Sequence, residues 1–481
     1  MMKNATSILA GVIALSSAAI VTAEPDTFRA GAARGNITPE LGDQIVGGFE
    51  TFPATHVHDD LWVRCLTQDD GQTRVALAVC DLISISADVS AMARRLVQDE
   101  TGLPAGNILV SAVHTHSATS AQGTRNLFTE TSDMSAYQKI VARRIADTVR
   151  CALNNLAPAR IGWATANEPR HVFNRRWHVK PGTVPATPLG GTNDLVQTNP
   201  GACNPNLIKP AGPTDPEICL IAVQTREGRP IALFANYSLH YVGGVRGADI
   251  SADYYGMFND RLQQLLGADR QDPPFISILS NGTSGDINNI DFTKPAQALP
   301  PYAKMRTVAN DVAQKAFEAY RAIQWRDHAA LGASFTEIAL KLRHPTPEQL
   351  EYARNILASP AGQAKATAAQ LYFAQMTLAL NEAPTSWKFP LQAFRIGEVG
   401  IATMPVEVFC EIGLEMKSRS PFKPTFVVSL AHGLDNYLPT PEQHALGGYE
   451  TWLGSSQLEN DAAPKMARRL LDMLTRLQKD K

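Results

Sequence analysis

The sequence predicts an α/β fold: one layered domain in which central mixed and antiparallel β-sheets are flanked by helices. Three observations predict it. Apolar runs of strand length recur along the chain, and several are joined by short Gly- or Asp-containing turns that make hairpins. Between them lie segments with apolar residues at helical spacing. The 481 residues are 44% hydrophobic and 19% charged, as in a globular chain with a sizeable core. The hairpin connections argue against a barrel of strictly alternating strands and helices. Net charge is -2, and no basic stripe occurs, so a nucleic-acid partner is not expected.

The N-terminus stands apart. In MMKNATSILAGVIALSSAAIVTAEPD, Lys3 precedes an apolar run from Ile8 to Val21, and Val21-Thr22-Ala23 precedes Glu24. This is the form of a secretory signal peptide cleaved after Ala23; the apolar part is short and serine-interrupted for a membrane span. The expected division is therefore a signal peptide at 1–23 and one domain at 24–481, with the mature protein exported to a periplasm or secreted. No later segment has the apolar length of a transmembrane span.

The elements follow in order. LWVRCLTQ and RVALAVCDLI flank the turn DDGQ and read as a hairpin. SADVSAMARRLVQDETG has helical spacing, and NILVSAVHTH is the next strand. MSAYQKIVARRIADTVRCALNNL is a long amphipathic helix, and ARIGWATA returns as a strand. Residues 179–217, rich in Pro, Gly, Asn and Thr, read as a long functional loop or lid. CLIAVQTREGRPIALFANYSLH is a second hairpin, and ADYYGMFNDRLQQLLGA a helix. PFISILSNGTSGDINNIDF is a buried strand running into a Gly-rich loop. Helices are expected at 301–323 and 346–382. LQAFRIGEVGIATMPVEVF is a hairpin feeding a helix through Lys417, TFVVSLAHGLDNYLPT a last strand with its loop, and 461–478 the closing helix.

Six cysteines are few for this length, and an exported chain permits disulfides. Cys203 and Cys219 flank one loop and are the best candidate pair. A turn at Asp70-Gly71 would place Cys80 opposite Leu61, out of register with Cys65. Cys151 reads as plain core. No CxxC occurs, which argues against a cysteine zinc cluster.

The chemistry sits at strand ends. NILVSAVHTHSATS ends an apolar run in two histidines. In an extended chain His114 and His116 share one face, roughly 7 Å apart. Small residues follow, leaving space before the rings. Such a pair suits a metal site, or one ligand beside one acid/base; paired loop histidines that merely hydrogen-bond are the alternative. Other strands also end in polar clusters. FANYSLHYVGG supplies His240, SILSNGTSGDINN supplies Asn281, Ser284, Asp286 and Asn288, IATMPVEVFCEIG supplies Glu407, and SLAHGLDNYLPT supplies His432, Asp435, Asn436 and Tyr437. Each has a structural alternative: a satisfied strand-end histidine for His240, a helix N-terminal carboxylate for Glu407, packing for Tyr437. Two histidines and a carboxylate are a standard zinc set with a position left for water.

ILVSAVHTHSATSAQG resembles the HTHSGP segment of the neutral/alkaline non-lysosomal ceramidase family. GAARGNITP, VHDDLWVRCL, FNRR, NPNLIKPAGPTDPEI, HYVGGVRGADISADYYG and NYLPTPEQHALGGYE resemble further segments of that family in the same order, over roughly residues 29 to 455. The resemblance implies that family's catalytic-domain fold. It also implies one zinc per chain, held by His114, His240, Glu407 and Tyr437. His116 matches a non-ligand active-site histidine, Arg175 an active-site arginine, and Tyr449 a second active-site tyrosine. Two departures stand out. Asn288 occupies the place of the family's serine, and the chain stops near where the family's immunoglobulin-like domain would begin.

The implied activity is zinc-dependent hydrolysis of an amide (N-acyl) bond by a metal-activated water, on a small-molecule or lipid-like acyl substrate. His116 would move a proton or hold the developing oxyanion, and Arg175, Tyr449 and Asn288 would position substrate. Asp286 would anchor the Gly-rich loop or orient a ligand. Two further readings remain open: the same fold acting on an ester or glycan-derived compound, and a catalytically silent exported binding protein, favoured by Asn288. A metallo-β-lactamase would need His-x-His-x-Asp-His, which HTHSAT lacks. An amidohydrolase barrel would need alternating strands and helices after the pair.

Overall fold

The computed structural model describes residues 27–121, 134–358, 360–433 and 436–479. The expected signal peptide at 1–23 and Asp435 lie outside the described residues. The fold is mixed α/β, with two large sheets flanked by helices, as the sequence predicts.

The larger sheet has eight strands: β1 Arg29–Asn36, β2 Trp62–Asp69, β3 Arg74–Cys80, β4 Ile108–Ala112, β5 Ala157–Asn167, β6 Glu217–Thr225, β7 Pro230–Tyr237 and β8 Ile276–Asn281. Their order is β8-β7-β6-β5-β1-β2-β3-β4. The hairpin β2–β3 and the hairpin β6–β7 form as read from the sequence. Both edge pairs, β3 with β4 and β7 with β8, are parallel. A parallel neighbour needs a crossover. The helix Ala87–Thr101 supplies the first and the helix Asp253–Leu265 the second.

Halfway across, β1 and β5 share only Arg29↔Pro158 and Ala30↔Ala157. At that joint the sheet turns over on itself, and β8 packs against β2, β3 and β4. The core between the halves includes Leu66, Leu77, Ile221, Phe234 and Ile278, all buried. The two edge strands, distant in strand order, are thereby brought near one another.

The second sheet is β9 Leu331–Lys341, β10 Ser386–Ile396, β11 Val399–Thr403 and β12 Thr425–Val428, in that order. The segment after β12 ties the sheets together. Ser429 N–H donates to Asn281 at the end of β8 (3.1 Å), while His432 N–H donates to Val110 in β4 (2.9 Å). Ala112 N–H donates to Leu430 (3.3 Å), and Ser429 Oγ to the Gly282 carbonyl (2.7 Å). One short segment thus fixes the C-terminal ends of both edge strands.

The helix Ala136–Asn154 shows why the helical readings hold. Val141, Ala142, Ile145, Ala146, Val149 and Ala152 are buried along one face. Ser135 and Gln138 close a capping box at its start, a cap stabilising by about 1 kcal/mol. The segment 346–382 forms three helices, Pro347–Leu357, Pro360–Lys365 and Ala368–Asn381, rather than one: Pro360 lacks an N–H, and Thr367 caps a fresh start. The stretch 179–217 is not a structureless loop. Val196–Thr198 and Leu207–Pro210 pair with Arg176–Val179 as a small antiparallel sheet.

The cysteine expectations need correction. All six are free thiols. Cys219 lies in β6 opposite Asn236, with Sγ 3.3 Å from Glu217 Oε1, whereas Cys203 sits on an exposed turn whose N–H donates to the Phe292 carbonyl. The loop between them is therefore held away from β6, and no disulfide joins its ends. Cys80 faces Val63 rather than Leu61, because the turn closes Asp69 against Arg74. Cys151 is exposed on its helix, on the face away from the core. Among the described residues no helix is long and apolar enough to cross a membrane.

Candidate metal centre

Four separate elements deliver the polar cluster. His114 and His116 follow β4, and His240 follows β7. Glu407 and Val408 form a two-residue parallel ladder with Tyr437 and Leu438, which sets Glu407 beside Tyr437. The strand ending in the histidine pair stops earlier than the sequence suggests, at Ala112. His114 takes a left-handed backbone conformation (φ 77°), unusual for a residue with a Cβ and costing of order 1–3 kcal/mol. The two histidines therefore converge instead of standing apart as in a strand: their Nε2 atoms are 3.1 Å from each other.

Hydrogen bonds at the far side of the rings fix the tautomers. His114 Nδ1 lies 2.8 Å from the Ile83 carbonyl, and His240 Nδ1 3.2 Å from the Ser284 carbonyl. A carbonyl only accepts, so each Nδ1 carries the proton and each Nε2 presents a lone pair. His116 hydrogen-bonds the Gly47 backbone, and its ring stacks on Tyr241 (centroids 3.8 Å, 16° between planes). Glu407 Oε2 faces the same space, 3.3 Å from His114 Nε2 and 3.6 Å from His240 Nε2, and is buried with no hydrogen-bond donor among the described residues.

Lone pairs converging on one point repel, and a buried acceptor left unsatisfied, as Glu407 Oε2 is among the described residues, costs about 1–3 kcal/mol. A proton on one histidine relieves one contact and not the rest. A cation relieves them all. Ligand atoms about 2.0–2.1 Å from a tetrahedral zinc are about 3.3–3.4 Å apart, which the 3.3 and 3.6 Å contacts bracket closely. The ligating atoms of His114, His116 and His240 all lie within 4.8 Å of one another, so this largely buried group is able to hold a metal ion. The residues present fit the group.

Electrostatics favour neutral imidazoles. Burial, then Arg175, His114 and His116, push His240 well below the usual histidine range. Burial and then His114 do the same to His116.

Arg175 is buried against the cluster. Its Nε donates to Glu450 Oε1 (2.8 Å), one terminal nitrogen donates to the Gly285 carbonyl (2.8 Å), and its guanidinium lies 5.3 Å from the centre of the Tyr437 ring. Burial works against its charge, but Tyr437, Glu450 and Glu407 outweigh it. Glu450 also accepts from Arg176 (2.7 Å) and Thr198 (2.6 Å). Tyr449 packs edge-on to Tyr437 at 5.7 Å and belongs to an aromatic group with Phe373, Trp452 and the exposed Phe49.

Asp286 accepts from Cys410 N–H (2.8 Å), the first residue of the helix Cys410–Arg419, and from Asn174 (2.7 Å). It anchors the Gly-rich loop, and burial pushes its carboxyl up to about 6. Gly285 is required there: a Cβ would sit 2.6 Å from the Glu407 carbonyl oxygen. Asn288 donates to Asn199 (2.7 Å) and accepts from Ile290 N–H (2.9 Å), in a ladder beside Phe173 and Asn174. His432 lies apart from the cluster, buried between Ser90 and Gln392.

Sequence reasoning missed Tyr241, Glu450 and the carbonyls of Ile83 and Ser284. Tyr241 and Glu450 each adjoin a residue already singled out. Only contacts distant in sequence give them meaning.

Fold and site together define a mixed α/β domain with a buried histidine–carboxylate cluster at the joined ends of two edge strands. No protein-family model and no curated protein sequence matches the chain. Among solved structures it is similar to the neutral ceramidase from Pseudomonas aeruginosa, at TM-score 0.68 and 16% identity over 94% of this chain and 75% of that one. It is also similar to a ceramidase complexed with C2, at TM-score 0.70, the same identity and the same coverage. At this identity the likeness establishes a ceramidase-like fold.

Proposed function

We propose that the protein is an exported zinc-dependent hydrolase that cleaves an amide (N-acyl) bond in a small or lipid-like acyl substrate. The observation that carries the reading is the convergence of Glu407 Oε2, which has no hydrogen-bond donor among the described residues, with the Nε2 atoms of His114 and His240. His114, His240, Glu407 and Tyr437 would hold one zinc. Bound there, zinc supplies an acidified water and a Lewis acid for a carbonyl.

The remaining steps belong to the chain's own side chains. His116, with its Nε2 turned into the cluster and its ring braced by Tyr241, carries a proton to the leaving nitrogen. Arg175, held by Glu450 and the Gly285 carbonyl, keeps positive charge where an oxyanion develops. Tyr449 and its aromatic neighbours exclude water and seat the apolar part of the substrate. Asn288 donates to Asn199, whose N–H donates to the Arg175 carbonyl (2.8 Å), so it supports the segment that carries Arg175; a direct attack of water needs no serine nucleophile at its place. In this reading residues 1–23 are the cleaved signal peptide, and 24–481 form one catalytic domain.

The test is hydrolysis of a panel of N-acyl amides, esters and acylated sugars by zinc-loaded and chelator-treated protein. Amide turnover abolished by chelation and restored by zinc supports the reading. Metal binding without turnover of any acyl compound overturns it in favour of an exported binding protein.

A further inference from the structure

Behind the aromatic wall lies a cavity of about 310 Å³, lined by Arg343, Gln349, Phe373, His444, Trp452 and Asn460 among others. None of the histidines of the metal cluster lines it. Its distinguishing group is Arg343. One terminal nitrogen of this guanidinium donates to the carbonyls of Thr451 (2.8 Å) and Ser456 (2.9 Å), which holds the turn that carries Trp452. Among the described residues no acceptor engages Nε or the other terminal nitrogen, and no carboxylate forms an ion pair with the side chain. That free edge is the planar two-donor fork which matches a carboxylate.

The surroundings sharpen the preference. Burial lowers Arg343 to about 10, with no acidic neighbour offsetting it. His444 faces the same space and is lowered to about 4, first by burial and then by Arg343 and Arg176, so it is neutral at pH 7. Asp194, the acidic residue in the wall, accepts from Trp452 Nε1 (2.7 Å) and holds that indole in place. Arg343 is partly buried, and a cation taken partly out of water with its fork open lacks the anion that would offset that cost.

We propose that this cavity is a carboxylate-binding site, with Arg343 as the bidentate partner and Trp452 as its apolar wall. Trp452 contacts Tyr449, and Tyr449 contacts Tyr437, so the cavity lies two ring contacts from the metal cluster. If the hydrolase reading holds, on which this last step rests, the substrate is an N-acyl compound whose amine part bears a free carboxylate.

The experiment compares binding of N-hexanoylglycine and its neutral carboxamide to the full chain by titration calorimetry, with the protein kept metal-free by chelator. The carboxylate is expected to bind at least about tenfold more tightly, a difference of about 1.4 kcal/mol. In Arg343→Lys, which keeps charge but loses the fork, that preference should shrink to a few-fold. Equal binding of the two probes to wild type overturns the proposal without reference to any variant. So does an unchanged preference in a folded Arg343→Lys. Because the probes are compared without metal, failure of the hydrolase reading leaves this result standing, and failure here leaves the metal site untouched.

Discussion

Glu407 Oε2 and His114 Nε2 face each other across 3.3 Å with the His114 ring proton held on the opposite side by the Ile83 carbonyl. In the metal-free protein this is a destabilising arrangement. Glu407→Gln relieves the Oε2 contacts, which have no donor among the described residues, but removes one of the groups that favour the buried Arg175 charge, so it should change the stability of the metal-free protein little. In zinc the variant should be the less stable, because the carboxylate ligand is lost. Chemical denaturation with and without chelator checks both. A loss of several kcal/mol in the metal-free variant contradicts the account.

His116 and its brace should separate binding from turnover. His116→Ala is expected to retain metal while losing about 10²-fold or more in rate, the usual scale for a positioned acid. Gly47→Ala should mimic it partly, since a Cβ there would lie 2.7 Å from His116 Nδ1 and Gly47 has φ 136°. Metal content and kcat measured on the same preparations decide this. Loss of metal in His116→Ala would make that ring a ligand.

The Arg175–Glu450–Arg176 group predicts a pH dependence of stability. Burial alone would raise the Glu450 carboxyl, but the two guanidiniums and Thr198 outweigh it and hold it below the usual range. A depressed carboxyl contributes stability that is full above its unfolded pKa and is lost as pH falls through the folded value. Glu450→Gln should therefore cost about 3–5 kcal/mol at neutral pH, the scale for breaking a buried pair. The gap to wild type should narrow below about pH 4, where unfolded glutamates titrate. Urea unfolding across pH 3–8 reads both effects.

The thiols give a simpler check. With all six cysteines free, unfolded protein should titrate six thiols with or without prior reduction, and reductant should leave the melting temperature unchanged. Four thiols before reduction would restore the disulfide that the strand register of Cys219 excludes.

Much of the fold was legible because periodicity and turn chemistry are local. The β2–β3 turn and the buried face of Ala136–Asn154 follow from residues a few positions apart. The elements of the histidine–carboxylate cluster were legible for the same reason: each ends an apolar run. Their convergence was not. It depends on the sheet turning over at Arg29 and Ala30, and on Ser429–His432 bonding to strands more than a hundred residues away. The Cys203–Cys219 expectation failed on this point, since proximity in a loop says nothing about which face of β6 a side chain occupies. Tyr241 acquires its meaning only from the His116 ring stacked on it.

If the lone pairs of His114, His240 and Glu407 converge to hold a metal, the metal content of purified mature protein shows it, with wild type measured beside His114→Ala and Glu407→Ala, each verified as folded. About one zinc per chain is expected in wild type, as for a single site of this kind, with loss in both variants. Wild type that stays metal-free after zinc loading, or folded variants that keep the metal, would contradict this reading.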